Sequence, residues 1–309
     1  MKAIAIRKYG GPEVVEYTDL PDPKVGPDSV LVRVKAAGIN PVDWKVREGY
    51  LDGLMDVHFP LIMGWDLAGV VMAVGGAVTE FSPGDEVIGY VRKDAVEHGT
   101  YAELVSAPVR TLALKPAALD WAQAGGLPLA GLAAHQCLGG AMRLKAGESV
   151  LIHGAAGGVG CLAVQLAVAR GARVIGTAGE RNHAFLRSLG AEPVAYGDGL
   201  VDRVRELAQG GVDAALDLVG GGEPLEVSAQ LVADPSRLVS IADYGVVARG
   251  GRYVFVRPDA AGLAELAALA DEGRLRVPVA STFPLSQAAS AQALNAEGRT
   301  RGKIVLLVD

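Results

Sequence analysis

The chain has 309 residues, half of them hydrophobic, a length that exceeds one small core and points to two domains. Its net charge of −6, with 29 Lys and Arg against 35 Asp and Glu and no basic cluster, argues against nucleic acid as a partner. No apolar run reaches the roughly 18 residues of a membrane span, Met1–Lys8 is charged too soon for a signal peptide, and only two cysteines, Cys137 and Cys161, are present, so the expectation is a cytoplasmic protein without membrane contact or disulfide scaffold.

Residues 1 to about 118 read as β-rich. Alternating segments over Ala3–Arg7, Ser29–Ala36, Ala68–Val74, Glu86–Tyr90 and Tyr101–Ser106 are separated by turns such as Gly10-Gly11-Pro12 and Pro83-Gly84-Asp85. From about residue 120 the pattern changes. Ala/Leu-rich helices alternate with unbroken apolar strands over Ser149–His153, Arg173–Thr177, Ala214–Leu218, Arg237–Ile241 and Arg252–Val256. Such runs belong in a parallel sheet covered on both faces. After about 278 the pattern is mixed again and ends in a strand over Lys303–Val308. The chain therefore reads as α/β: a β-rich domain of residues 1–119 and 278–309, split around a doubly wound parallel-sheet domain over 120–277.

One turn carries chemistry. The strand Val150-Leu151-Ile152-His153 runs into Gly154-Ala155-Ala156-Gly157-Gly158-Val159-Gly160, and a helix is expected from near Cys161. Small residues let the backbone approach phosphates, the helix start supplies free N–H groups, and Gly160 permits close helix–strand packing. With a second strand ending at Thr177, one βαβ unit later, the turn points to a dinucleotide pyrophosphate. Ala155 stands where the G-x-G-x-x-G pattern has its first glycine.

The β-rich part carries a second signature: Ala37-Gly38-Ile39-Asn40-Pro41-Val42-Asp43, then Gly64-Trp65-Asp66-Leu67-Ala68-Gly69-Val70-Val71 and Gly84-Asp85-Glu86-Val87. Together with the glycine turn, it resembles the medium-chain dehydrogenase/reductase superfamily, and within it the zinc-independent quinone oxidoreductases, the zeta-crystallin-like branch. The resemblance covers nearly the whole chain. It implies a GroES-like catalytic domain, a Rossmann domain and a cleft between them. Where the zinc alcohol dehydrogenases carry a ligand cysteine and histidine, this chain has Asn40 and Trp65. No cysteine lies near residues 128–130, a four-cysteine lobe is missing, and the five histidines show no ligand spacing. No metal is expected, which favours a conjugated acceptor over a simple alcohol.

An NAD-type acid at the end of the second strand would bind the ribose 2′-OH. Ala178 stands there instead. Gly179-Glu180-Arg181-Asn182 follows, and the Arg181 guanidinium suits a 2′-phosphate. NADPH is thus the expected cofactor, with Glu180 the residue that would reverse this reading under a small register shift. The resemblance further implies cofactor contacts from Ala155, Ala156, Gly157, Gly158, Val159, Gly160, Thr177, Gly179 and Tyr196. It implies others from the strand ends at Leu218-Val219, Ser240-Ile241-Ala242 and Phe255-Val256, and from the C-terminal Gly302-Lys303. Relatives usually carry Thr where this chain has Ala133.

Hydride transfer to a conjugated carbonyl leaves negative charge on oxygen and needs a proton. Asn40 is the first candidate for a polar anchor beside the nicotinamide or the carbonyl. Asp43 is expected to orient neighbours such as Lys45 or Arg47. Tyr50 is a candidate phenolic donor, and Trp44 and Tyr244 could line an aromatic pocket. The leading expectation is an NADPH-dependent quinone or enone reductase acting on a small conjugated carbonyl. Alternatives are an enoyl-thioester or polyketide-tailoring enoyl reductase, and an NADPH-binding sensor or structural protein with little catalysis. The resemblance implies a homodimer through the sheet edge near Arg249–Val256.

Overall fold

The computed structural model describes residues 1–309. The chain opens with β1 (Lys2–Ile6), β2 (Glu16–Asp19) and the long β3 (Ser29–Ile39), followed by helix α1 (Pro41–Arg47). Strands β4 (Val57–Ile62), β5 (Asp66–Val74), β6 (Glu86–Tyr90), β7 (Val96–His98), β8 (Leu104–Pro108) and β9 (Leu112–Leu114) come next, then α2 (Trp121–Gly126) and α3 (Pro128–His135). The parallel-sheet region holds β10 (Ser149–His153), α4 (Gly160–Ala169), β11 (Arg173–Thr177), α5 (His183–Ser188) and β12 (Glu192–Val194). It continues with α6 (Leu200–Leu207), β13 (Ala214–Asp217), α7 (Glu223–Ala229), β14 (Leu238–Ser240) and the two-residue β15 (Arg252–Tyr253). The chain closes with α8 (Ala260–Asp271), β16 (Val279–Pro284), α9 (Ala288–Ala296) and β17 (Lys303–Leu307).

Two compact units result, Met1–Ala130 with Arg257–Asp309, and Gly131–Val256. These boundaries differ from the expected 119/120 and 277/278 because two helices of the interval belong with the β-rich unit. The helix α2 packs on β3, β5 and β17, and α8 packs on β9. The Ala118 N–H also donates to Asp271 Oδ1 at 2.8 Å. An Ala/Leu-rich helix looks the same in sequence whichever sheet it covers.

In the first unit one sheet runs β2-β1-β4-β7 and another runs β16-β17-β3-β5-β6-β9, with β8 paired to β3. β3 alternates inward and outward as far as Lys35, then buries every residue from Ala36 to Ile39. The reason is α2: a Cβ on Gly38 would come 2.6 Å from Gly125 O, so the helix backbone lies directly on the strand. The second unit is a six-stranded parallel sheet in the order β12-β11-β10-β13-β14-β15. Chain order reverses between β10 and β13, where a doubly wound sheet opens a crevice at its strand carboxyl ends. Val150, Leu151 and Ile152 on the central β10 are fully buried, which explains the unbroken apolar run. Strands expected over Ala214–Leu218, Arg237–Ile241 and Arg252–Val256 end earlier, because their last residues already turn into the loops of that crevice.

Candidate active site

The glycine turn lies at the carboxyl end of β10, beside the reversal point. Gly154 has φ +71°, a conformation glycine adopts without strain. Its N–H donates to Thr177 Oγ1 at 3.1 Å, and the Ala155 N–H donates to Thr177 O at 3.0 Å. Thr177 is buried beneath the turn and fixes its path, and Ala155 is buried with it. A Cβ on Gly160 would meet Gly154 O at 2.2 Å, so only glycine lets α4 begin this close to the strand. Gly157 closes the turn on Gly154 O at 3.0 Å, while the N–H groups of Ala156, Gly158 and Val159 donate to no backbone acceptor. Unpaired N–H groups at the start of a ten-residue helix form a cradle for an anion. These residues fit a dinucleotide pyrophosphate.

Beyond β11, Ala178 is buried and Glu180–Asn182 form a single 3-10 turn whose N-cap is Gly179. Arg181 is exposed on that turn, as is Glu180. The exposed Tyr196 ring lies 3.9 Å from where a Gly179 Cβ would stand, so ring and glycine face each other. At the ends of β13 and β14 a buried network shapes the loops. Asp217 Oδ1 accepts N–H groups from Val219 at 2.9 Å and Gly220 at 3.0 Å, and its Oδ2 accepts the Ser240 hydroxyl at 2.8 Å. Ser240 Oγ in turn accepts the N–H groups of Ala242 at 3.0 Å and Asp243 at 2.9 Å. Ser240 is therefore a buried support, whereas Val219 and Ala242 are exposed and Leu218 and Ile241 half-buried. Phe255 is exposed and Val256 buried just past β15.

The first unit carries a buried polar cluster. Asn40 caps α1 and is only 4% exposed, with Pro41 as the first helical residue. Its N–H donates to Asp43 Oδ2 at 2.7 Å. Its Nδ2 donates to Asp66 Oδ2 at 2.8 Å, and its Oδ1 accepts Lys303 Nζ at 2.5 Å. Lys303 Nζ also donates to Ile39 O at 3.0 Å and stands 3.9 Å from Asp66 Oδ2. Asp66 Oδ1 accepts the Leu129 N–H at 2.7 Å at the start of α3. Burial pushes the Asp66 carboxyl up to about 6, although Lys303 and Asn40 oppose it. Burial pushes Asp43 up to about 7, against the Tyr101 and Asn40 hydrogen bonds. A cavity of about 10 Å³, the size of one water, adjoins Asp43 and is lined by Met63, Gly64 and Trp65 among others.

Three expectations change here. Asp43 orients Asn40 and Tyr101, not Lys45 or Arg47: the Arg47 guanidinium donates instead to Gln292 Oε1 at 2.7 Å, Gly10 O and Glu48. Lys303 turns its ammonium inward onto Asn40, because Gly302, at φ +83°, swings the chain against Pro278 and into β17. Asn40 spends both ends of its amide on Asp66 and Lys303. Tyr50 is 70% exposed and meets Trp44 edge-on at 6.4 Å. Tyr244 is also exposed, edge-on to Tyr253 at 5.4 Å. Ala133 is buried on α3.

The same cluster tests whether zinc fits. The positions expected for metal ligands hold an amide and a buried indole, and a lysine ammonium stands 2.5 Å from the amide oxygen. No group of three or more His, Cys, Asp or Glu side chains is placed to hold a metal ion. A divalent cation there would face a fixed positive charge with too few anionic donors, so this donor set does not fit zinc.

Comparisons with known proteins agree with this architecture. Residues 26–117 match the family described as alcohol dehydrogenase GroES-like domain, and residues 189–306 match that described as zinc-binding dehydrogenase. A quinone oxidoreductase of Pseudomonas aeruginosa is 34% identical, over 99% of each chain. A chloroplastic NADPH-dependent alkenal/one oxidoreductase of Arabidopsis thaliana is 33% identical, over 99% of this chain and 79% of that protein. A solved structure titled NAD-dependent alcohol dehydrogenase superposes with a TM-score of 0.89 at 32% identity, covering 100% of both chains. The chain is thus a two-unit α/β oxidoreductase with a GroES-like and a Rossmann unit. It belongs to the medium-chain dehydrogenase/reductase superfamily, in its quinone oxidoreductase branch, a family of nicotinamide-dinucleotide-binding dehydrogenases.

Sequence reasoning missed Asp66 and Tyr101 in the first unit's polar cluster and Asp217 in the second unit's loop network. Asp217 had a readable signal, a lone carboxylate ending an apolar strand before Gly220-Gly221-Gly222. Asp66 directly follows Trp65 in the quoted motif. Tyr101 had none, because its partner Asp43 lies 58 residues away.

Proposed function

We propose that this chain is a zinc-independent, NADPH-dependent reductase that transfers hydride to a quinone or another conjugated carbonyl such as an enone. The observation that carries the reading is the end of β11, where Ala178 replaces an acid and the exposed Arg181 follows on a single turn. The name of the Arabidopsis relative supports both the phosphorylated cofactor and an alkenal or enone acceptor, and that of the Pseudomonas relative supports a quinone.

When bound, the reduced nicotinamide supplies the hydride. The N–H groups of Ala156, Gly158 and Val159 would hold the pyrophosphate, with Gly157 and Gly160 keeping the backbone close. The Arg181 guanidinium offers a planar pair of donors to a 2′-phosphate. The Tyr196 ring, which faces Gly179, would hold the adenosine end. Leu218, Val219, Ile241 and Ala242 would contact the ribose and nicotinamide, on loops held by Asp217 and Ser240. In the first unit, Asn40 anchors the polar cluster by joining Asp66 to Lys303, and Asp43 holds a proton at its carboxyl near neutral pH, oriented by Tyr101. The exposed Tyr50 phenol is the accessible proton donor.

Copies of the chain pair, in this reading, through the β15 edge of the Rossmann sheet, a contact that sedimentation would report as a dimer. The two buried free cysteines suit a reducing, cytoplasmic compartment. The experiment for function is steady-state oxidation of NADPH against quinones, enones and enoyl thioesters. Turnover of quinones or enones supports the proposal, and a clear preference for thioesters replaces it with an enoyl reductase. Tight NADPH binding without turnover of any acceptor overturns the enzyme reading.

A further inference from the structure

We propose that Lys303 is a positioning residue whose ammonium serves as an internal cation, locking the amide of Asn40 in one orientation. An asparagine amide is nearly symmetric in shape, so its direction is set by its partners. Here Lys303 Nζ can only donate and meets Oδ1 at 2.5 Å, while Asp66, ionised, only accepts and meets Nδ2 at 2.8 Å. A flipped amide would set Nδ2 against an ammonium and Oδ1 against a carboxylate, losing two charge-assisted hydrogen bonds at once.

The surroundings form a built cation cage. Nζ is held by Ile39 O at 3.0 Å and Asn40 Oδ1, with the Asp66 carboxylate 3.9 Å away, and Lys303 as a whole is only 3% exposed. A buried ammonium is costly unless paired and hydrogen-bonded, and this one is both. Its place beside Asn40, where a metal ligand was expected in zinc-binding relatives, explains why the site works without divalent charge: the chain brings its own cation on β17. The role is distinct from the cofactor contact expected of a C-terminal lysine, since the ammonium is committed to the first unit's own oxygens.

The part of this inference that concerns turnover rests on the proposed reductase activity; the cage itself does not. In Lys303→Ala the lost atoms have the shape of n-propylammonium. Melting of that variant is followed with n-propylammonium and, as the neutral isostere, n-propanol. Saturable stabilisation by the cation alone is expected, and equal effects of the two, or none, would overturn the cage. Lys303→Met keeps the side-chain volume and tests positioning: kcat should fall on the order of tenfold to a hundredfold, as small misplacements of reacting groups do, with NADPH affinity unchanged. Loss of NADPH affinity in that variant would mark Lys303 as a cofactor ligand and overturn the assignment, as would wild-type kcat. A wild-type chain that turns over no acceptor would refute the reductase reading while leaving the melting result decisive for the cage.

Discussion

The Tyr101 hydroxyl donates to Asp43 Oδ2 at 2.6 Å in the buried interior of the first unit, on the same oxygen that accepts the Asn40 N–H at 2.7 Å. Two donors on one carboxylate oxygen favour its charged form, yet burial outweighs them and the carboxyl rises to about 7 from an ordinary 3.8. A buried carboxyl with raised proton affinity binds its proton more tightly folded than unfolded. Its contribution to stability is therefore greatest below about pH 4 and declines as pH rises through the interval to about 7. Asp66, raised to about 6, contributes in the same direction. Replacing Asp43 by Asn removes its part of the slope, so the melting temperature of Asp43→Asn should gain on the wild type between pH 4 and 7. Thermal melts across that range check it; a constant difference would contradict the assignment.

Tyr101→Phe leaves Asp43 Oδ2 with the Asn40 N–H alone and strips one hydrogen bond that holds the carboxyl down. Asp43 should then titrate above about 7, and the pH profile of turnover should shift upward with it. An unchanged profile would separate Asp43 from the proton-holding role.

Gly160→Ala should disable the dinucleotide turn. Its Cβ would lie 2.2 Å from Gly154 O and 2.7 Å from the Ala155 backbone, neither of which can give way without moving the cradle. A cost of about 1–3 kcal/mol to the second unit is expected from overpacking, together with loss of cofactor binding measured by fluorescence quenching. Gly157→Ala is the control for packing: its Cβ would approach Gly154 O only to 3.3 Å, so the stability cost to the second unit should be far smaller.

Asp217→Asn tests the loop network. With its carbonyl kept on Val219 and Gly220, the new NH2 faces Ser240 Oγ, whose lone pairs already accept from Ala242 and Asp243. The new NH2 and the Ser240 O–H, which loses its acceptor, are both left unpaired, at a loss of about 1–3 kcal/mol for each. Denaturant unfolding should show it, along with weaker dinucleotide binding; stability equal to wild type would mean the network is not what holds these loops.

Much of this was legible in the sequence because it is local. The strands over Ser149–His153, Arg173–Thr177 and Glu86–Tyr90 form as read, since apolar runs and alternation record what each face touches. The glycine turn was equally readable, its requirement for small residues being set by atoms a few positions away. The polar cluster was not. Asn40 and Asp43 are visible as candidates, but the Lys303 contact spans 263 residues and the Asp66 contact 26, and no periodicity encodes either. Asp43 was expected to serve Lys45 or Arg47, but Lys45, two residues on, lies on another face of α1, and Arg47, four residues on, is drawn away by Gly10 O, Gln292 and Glu48. The short β12, three residues with Pro193 in the middle, also escaped, because only its pairing with β11 makes it a strand.

The central claim is a reductase that reads the 2′-phosphate through Arg181, and the most direct measurement is kcat/KM for NADPH against NADH in the wild type and in Arg181→Ala. The wild type should prefer NADPH by more than about tenfold, equivalent to about 1.4 kcal/mol or more of discrimination, and the preference should collapse in Arg181→Ala with NADH turnover unchanged. A wild type that prefers NADH, or a variant that keeps the NADPH preference, would contradict it.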